Sequence, residues 1–146
     1  MWQGGVNYFD PVTKKVRRYL HNPSDPKSLS DNNIFYILKD RKGNIWIATW
    51  GNGLNKYNPE TDDFTHYLHD PANPNSINSS GVAFLMEDSN DNLWIGTELS
   101  GIDMFDPESN TFVHYQTGPE KGSLNNNFIT TLFEDSKKRM GRNLWP

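Results

Sequence analysis

The side chains of this 146-residue chain best equipped for chemistry are four histidines, several adjacent acids and one tryptophan, Trp50, that breaks an otherwise regular pattern. The histidines are His21, His66, His69 and His114. His66 and His69 stand three apart, so on a strand they point to opposite faces and cannot chelate one ion together. Asp88-Ser89-Asn90-Asp91-Asn92 offers oxygen ligands at alternate positions. It lacks the turn glycine and the distant bidentate glutamate that complete a calcium loop, and a plain hairpin explains it better. Glu87-Asp88 and Glu134-Asp135 suggest the paired carboxyls that flank a glycosidic bond in hydrolysis. Yet Asp40, Asp88 and Asp135 recur at turn positions, where turn formation accounts for them. With no cysteine there is no disulfide, zinc knuckle or cysteine nucleophile. The expectation is a chain with no catalytic residue, metal or cofactor of its own.

These side chains are carried by a repeat. Asp40, Asn44, Trp46, Ile47, Thr49, Gly53, Pro59, Phe64, His66 and Tyr67 each recur 48 positions later, as Asp88, Asn92, Trp94, Ile95, Thr97, Gly101, Pro107, Phe112, His114 and Tyr115. One step earlier, Gly5, Phe9, Pro11, Thr13, Val16 and Tyr19 continue the pattern. A period of this length signals a solenoid, propeller or array. Each unit holds four strand-like runs. The first is apolar, at 34–38, 82–86 and 128–133, and suits a strand buried on both faces, although a buried helical turn would read the same locally. The others lie at 44–50, 54–57 and 64–68, separated by segments rich in Gly, Asn, Asp and Pro, the residues of tight turns. No 3.6-residue apolar period is visible, so helical and leucine-rich repeats fit less well.

The expected fold is therefore all-β, a partial β-propeller of four-stranded antiparallel blades amounting to about three blades within a single unit, 1–146. Residues 1–20 supply the third and fourth strands of a blade, 34–68 and 82–116 are full blades, and 128–146 start a further one. One departure stands out at the end. The pattern places tryptophan at 141, where the residue is Gly, and a matching Asn143-Leu144-Trp145 follows four positions on. Either the turn carries four extra residues or the end is foreign to the repeat; the second reading is favoured. Propellers close with about 4–8 blades. An open arc leaves flat apolar blade sides in water, so self-association is expected, with two copies closing a six-bladed ring.

Net charge is −4 with a pI near 5.5 and no basic stripe, which argues against nucleic acid as a partner. No apolar run approaches the roughly 20 residues that span a bilayer, so no membrane contact is expected of this chain. The N-terminus has neither the basic nor the apolar region of a signal peptide, so an exported protein would contain this chain as a piece.

The phrases Gly43-Asn44-Ile45-Trp46-Ile47-Ala48-Thr49 and Asp91-Asn92-Leu93-Trp94-Ile95-Gly96-Thr97 resemble the two-component regulator propeller repeat. The likeness continues through Gly51-Asn52-Gly53-Leu54-Asn55-Lys56-Tyr57-Asn58-Pro59 and Ser100-Gly101-Ile102-Asp103-Met104-Phe105-Asp106-Pro107. The resemblance implies the periplasmic sensor region of a hybrid two-component histidine kinase that detects glycan fragments, with the kinase elsewhere in a membrane-anchored parent. The alternative is a propeller serving only as a protein-interaction or dimerisation scaffold; a hydrolase or lyase is disfavoured because no acid pair departs from the repeat. Ligand sites in propellers are expected where blades differ. Trp46 and Trp94 recur and read as core, whereas Trp50 has Glu98 as its counterpart. The loops between second and third strands (Trp50, Asn52, Glu98, Ser100) and the linkers (Asn73, Asn75, Asn78) should share one face. The expected oligosaccharide-binding residues are Trp50, Asn52, Asn75, Glu98 and Ser100, with tryptophan stacking on a sugar ring and polar groups reading its hydroxyls.

Overall fold

The structure, a computed structural model, describes residues 4–142, and at Arg142 the backbone alone. Twelve strands form, and no helix is present among the described residues. Strands β1 (Val6–Phe9) and β2 (Val16–Tyr19) make a two-stranded sheet. Strands β3 (Ile34–Lys39), β4 (Ile45–Thr49), β5 (Leu54–Asn58) and β6 (Asp63–Tyr67) make a four-stranded antiparallel meander. So do β7 (Val82–Glu87), β8 (Leu93–Thr97), β9 (Ile102–Asp106) and β10 (Thr111–Tyr115), and β11 (Leu132–Glu134) pairs with β12 (Met140–Arg142). The first strands of the two full sheets meet, with the rings of Tyr36 and Phe84 4.6 Å apart. The sheets are thus arrayed as propeller blades with first strands innermost, and the arc is open.

The turn between first and second strands is organised by one carboxylate. Asp40 Oδ1 accepts the Asn44 backbone N–H (2.7 Å), while Oδ2 accepts Asn44 Nδ2 (2.7 Å) and the Trp46 indole N–H (2.9 Å). Asp88 repeats this with Asn92 and Trp94, at 3.0, 2.8 and 2.8 Å. A buried indole needs an acceptor for its N–H, so the turn aspartate also sets the pose of the tryptophan. Burial pushes both carboxyls up, but the donors from tryptophan, asparagine and the turn backbone outweigh it and hold both below the ordinary aspartate value.

The second turn is closed by a threonine–glycine pair. Thr49 Oγ1 donates to the Gly53 carbonyl and Thr97 Oγ1 to Gly101, each at 2.8 Å. Gly53 and Gly101 lie at φ 69° and 83°. A Cβ at either would run into the carbonyl oxygen of Tyr67 or Tyr115 on the neighbouring fourth strand. Only glycine meets both demands.

Trp46 is buried between the two full blades against Tyr67 (5.7 Å between rings, 41°) and Phe105 (5.3 Å, 63°). Trp94 meets Tyr115 in the same way, at 5.5 Å and 41°. The two tryptophans occupy equivalent places in successive sheets. The linkers are buried at Leu29 and Ile77 and held by the histidines. His21 Nδ1 faces the Leu29 carbonyl (2.7 Å), His69 Nδ1 the Ile77 carbonyl (2.9 Å), and His66 Nε2 the Ser28 carbonyl (2.6 Å).

The last hairpin excludes one of the two readings of the C-terminal end. Within the apolar run at 128–133, ladder pairs form at Leu132 and Phe133, in β11. The last hairpin carries no four extra residues. Asp135 accepts the Arg139 backbone N–H as Asp88 accepts that of Asn92, and Gly141 faces Phe133 as Trp94 faces Met86. Gly141 thus stands in the tryptophan position, with the Phe133 ring lying over it. Asn143-Leu144-Trp145 lie outside the described residues.

Replacing the carboxylate tests this account. Asp88→Ala strips four donors of their acceptor and is expected to cost about 2–3 kcal/mol in urea denaturation, while Asp88→Asn costs less. Because the carboxyl titrates low, its stabilisation is present above about pH 4 and drains away on further acidification. The wild type should therefore lose stability on acidification more steeply than Asp88→Asn.

Candidate functional site

The ends of the linkers and the turns after the second strands lie side by side on one face. The Trp50 N–H donates to the Asn33 carbonyl (3.0 Å) and the Glu98 N–H to that of Gly81 (3.1 Å). These positions adjoin the first strands and therefore the axial end of the face. The Trp50 ring stacks on Phe35, with centroids 4.5 Å apart and planes 23° from parallel, and is 43% exposed. The Glu98 side chain of the next blade and the Trp50 backbone carbonyl both border Gly81. A Cβ built on Gly81 would lie 3.0 Å from Glu98 Oε2 and 3.2 Å from the Trp50 carbonyl oxygen. The absence of a side chain at 81 is what lets the two blades approach here.

The expected site residues do not all gather. Trp50 and Glu98 meet over Gly81. Asn52 is exposed, with its amide 3.4 Å from Asp31 Oδ2 and its carbonyl accepting Ser30 Oγ (2.7 Å). Ser100 occupies the matching place one blade on, its carbonyl accepting the Asn78 amide (3.2 Å). Asn75 lies elsewhere. Its carbonyl accepts the Phe112 N–H (3.1 Å) on the fourth strand β10, which puts it, with Asn73, at the rim and away from Trp50. The linker swings out to the edge strand before returning to the axis, and a linear reading of the linker does not show that detour.

Phe35, Asp31 and Gly81 belong to this surface and escaped the sequence reading. A signal for them exists. Asp31, Asn33, Phe35 and Trp50 face Ser79, Gly81, Ala83 and Glu98 at the repeat spacing, so departures from the repeat cluster where the structure joins them. Phe35 was hidden because it sits inside an apolar run. Among the described residues no group of three histidines or acids is arranged to hold a metal ion.

A second departure is buried. Asn55 accepts the Ser30 N–H (2.9 Å) and donates to Ser30 Oγ (2.8 Å), tying linker to blade. Its counterpart is Asp103, fully buried, which accepts the Asn78 N–H (2.8 Å) and stands 2.7 Å from His114 Nδ1. His114 Nε2 faces the Pro74 carbonyl (2.9 Å) and must donate there, so the short Nδ1–carboxyl contact needs a second proton, on the ring or the acid. Burial raises the Asp103 carboxyl above its ordinary value, against the hydrogen bonds of Asn78 and His114.

Open four-stranded meanders around a common axis define the class, an arc of β-propeller blades. Residues 28–51 and 76–99 each match the family model described as two component regulator propeller, so the chain carries that repeat twice over those stretches. Among solved structures, the extracellular domain named for the one component system BT4673 of B. thetaiotaomicron is 24% identical, with a TM-score of 0.65 over 96% of this chain and 18% of its own. A structure named for the hybrid two component system BT4673 is 20% identical, with a TM-score of 0.51 over 96% of this chain and 25% of its own. The extracellular domain named for the hybrid two component system BT3049 of the same organism is 22% identical, with a TM-score of 0.49 over 99% of this chain and 30% of its own. The chain thus spans less than a third of each. Among curated proteins none matches it.

Asp103→Asn restores the residue that the preceding blade uses. A carboxyl with a raised folded pKa stabilises fully below the ordinary carboxylate range, and that contribution is lost as pH rises through the folded value. Asp103→Asn should therefore be more stable than wild type at neutral pH, by on the order of 1 kcal/mol, and the gap should close towards pH 4. Urea denaturation at the two pH values reads both.

Proposed function

We propose that this chain is a ligand-sensing part of an extracytoplasmic propeller in a hybrid two-component signalling protein, and that it recognises oligosaccharide on the axial face around Trp50. The observation that carries the reading is the clustering of departures. The framework residues Asp40/Asp88 and Trp46/Trp94 repeat, while Asp31, Phe35, Trp50 and Glu98 differ from their counterparts and converge on one exposed surface. A flat indole, held by stacking on Phe35 and left open on one side, offers a sugar ring an apolar platform. Glu98 and Asp31 supply acceptors for hydroxyls beside it. The two matched repeats and the extracellular domains of similar fold support a periplasmic setting, with a histidine kinase in the parent protein answering the bound state.

A protein-interaction scaffold is the second reading. It is favoured by apolar residues exposed at the two ends of the arc, Val16 and Ile37 at one and Phe133 at the other. A glycan library separates the two. The sensor reading expects saturable binding of at least one oligosaccharide, weakened at least tenfold by Trp50→Ala with thermal stability little changed. Indifference of Trp50→Ala, or silence across the library, would count for the scaffold.

A further inference from the structure

The two linkers that lead into the full blades are fastened differently. Linker 20–33 is tied to β5 through Asn55 and to β6 through His66. Linker 68–81 is tied to β9 through Asp103 and to β10 through His114. Asn55 and Asp103 stand 48 residues apart, as do His66 and His114. In the first setting neutral groups suffice. Asn55 accepts from and donates to Ser30, and His66 Nε2 faces one acceptor, the Ser28 carbonyl at 2.6 Å. An imidazole with a single N–H answers that set.

In the second setting His114 stands between two acceptors. Its Nδ1 is 2.7 Å from Asp103 Oδ1 and its Nε2 is 2.9 Å from the Pro74 carbonyl oxygen. A neutral ring answers one of them and turns a lone pair to the other. Both contacts hold together only while the pair carries a second proton, as imidazolium beside carboxylate or as imidazole beside carboxylic acid. Asp103 is fully buried, whereas the His114 side chain is 24% exposed and gives that proton a path to water.

The surroundings leave this pair as the sensitive point. In the sheet Asp103 lies between Ile95 of β8 and His114 of β10. From the linker His69 also acts on the Asp103 carboxyl, but its Nδ1 faces one acceptor, the Ile77 carbonyl, which a neutral ring answers. Glu120 and Lys121, of opposite charge, line the surface beside His114. Tyr67, which β6 brings against Phe112, is raised by burial and stays protonated. Burial likewise raises Asp103, so the pair holds its second proton where an ordinary aspartate has lost one.

We infer that the proton shared by Asp103 and His114 latches linker 68–81 to its blade, and that its loss as pH rises frees the rim end of the linker at Pro74. The proton passes from His114 to water. The remaining N–H stays with the buried carboxylate, the charged and stronger acceptor, and the ring then presents a lone pair to the Pro74 carbonyl. The bond one residue further on is exposed to this release: the Phe112 N–H donates to the Asn75 carbonyl at 3.1 Å. Linker 20–33 has the matching bond, Phe64 N–H to the Lys27 carbonyl at 2.9 Å, without the buried acid. The latched segment runs on to Gly81, which borders the Trp50 carbonyl, so the latch acts on the linker that shapes the axial face. It does not depend on the glycan reading.

The sign is fixed by the raised carboxyl: the latch is closed at low pH and opens as pH rises through the folded value. Amide hydrogen exchange of the full chain, followed by NMR, reads it as the ratio of protection at Phe112 to protection at Phe64, in which the common pH dependence of chemical exchange cancels. From about pH 5 to about pH 8, a range spanning the ordinary histidine value, the ratio should fall by about tenfold. The nitrogen shifts of His114 should report loss of one proton over the same range. Asp103→Asn supplies the residue that the first full blade uses, and its amide can donate to His114 Nδ1 while Nε2–H keeps Pro74. In that variant the ratio should stay constant. A constant ratio in the wild type, or an equal fall in Asp103→Asn, would overturn the inference.

Discussion

Two carboxylates, Asp40 and Asp88, hold this architecture together. Each gathers the turn backbone, an asparagine amide and an indole N–H into one cluster, so the hairpin and the tryptophan two residues past the asparagine form a single object. Without the carboxylate the indole N–H would be buried without a partner, at a cost comparable to a lost hydrogen bond. With it, the indole is aimed at the neighbouring blade, edge-on to Phe105, where Tyr67 of its own blade and Phe105 and Phe112 of the next form the aromatic cluster between sheets. The contact between blades is thus a consequence of chemistry within one hairpin, which is why the same short motif can be copied around an axis.

The linkers complete the unit by the same economy. Leu29 and Ile77 are the apolar plugs, and the polar atoms around them are answered by His21, His69, Asn55 and Asp103. All four histidines face backbone carbonyls, so their recurrence has a structural cause. Freed from holding the fold, the residues at the axial end of the linker-side face are where the two full blades diverge. Trp50 and Phe35 on one side and Glu98 on the other share that surface because Gly81 carries no side chain to keep them apart.

The junctions also show how much a repeat tolerates. Asp103 for asparagine introduces a proton into a buried tie. Gly141 for tryptophan lets Phe133 fold over the vacated place. Lys39 for glutamate leaves a cation facing outward where two other blades put an acid. Each is a single change in an otherwise shared framework, and each marks a place where this chain's behaviour should differ from that of an ideal repeat.

Much of this was legible beforehand for a physical reason. A repeat writes every framework residue at least twice, so Asp, Asn, Trp, Thr and Gly at matched positions name the turns, and the runs between them name the strands. Departures such as Trp50 against Glu98 were visible for the same reason. What the linear pattern could not hold was distance across the sheet. Only the tertiary structure decided that Asn75 sits at the rim while Trp50 sits at the axis, because the linker's outward excursion depends on pairing with β10. Only it joined Phe35 to Trp50, since a residue within an apolar run carries no mark of the partner it will meet. It also excluded four extra residues in the last hairpin, because ladder pairing fixes a register that the sequence pattern left open between two readings.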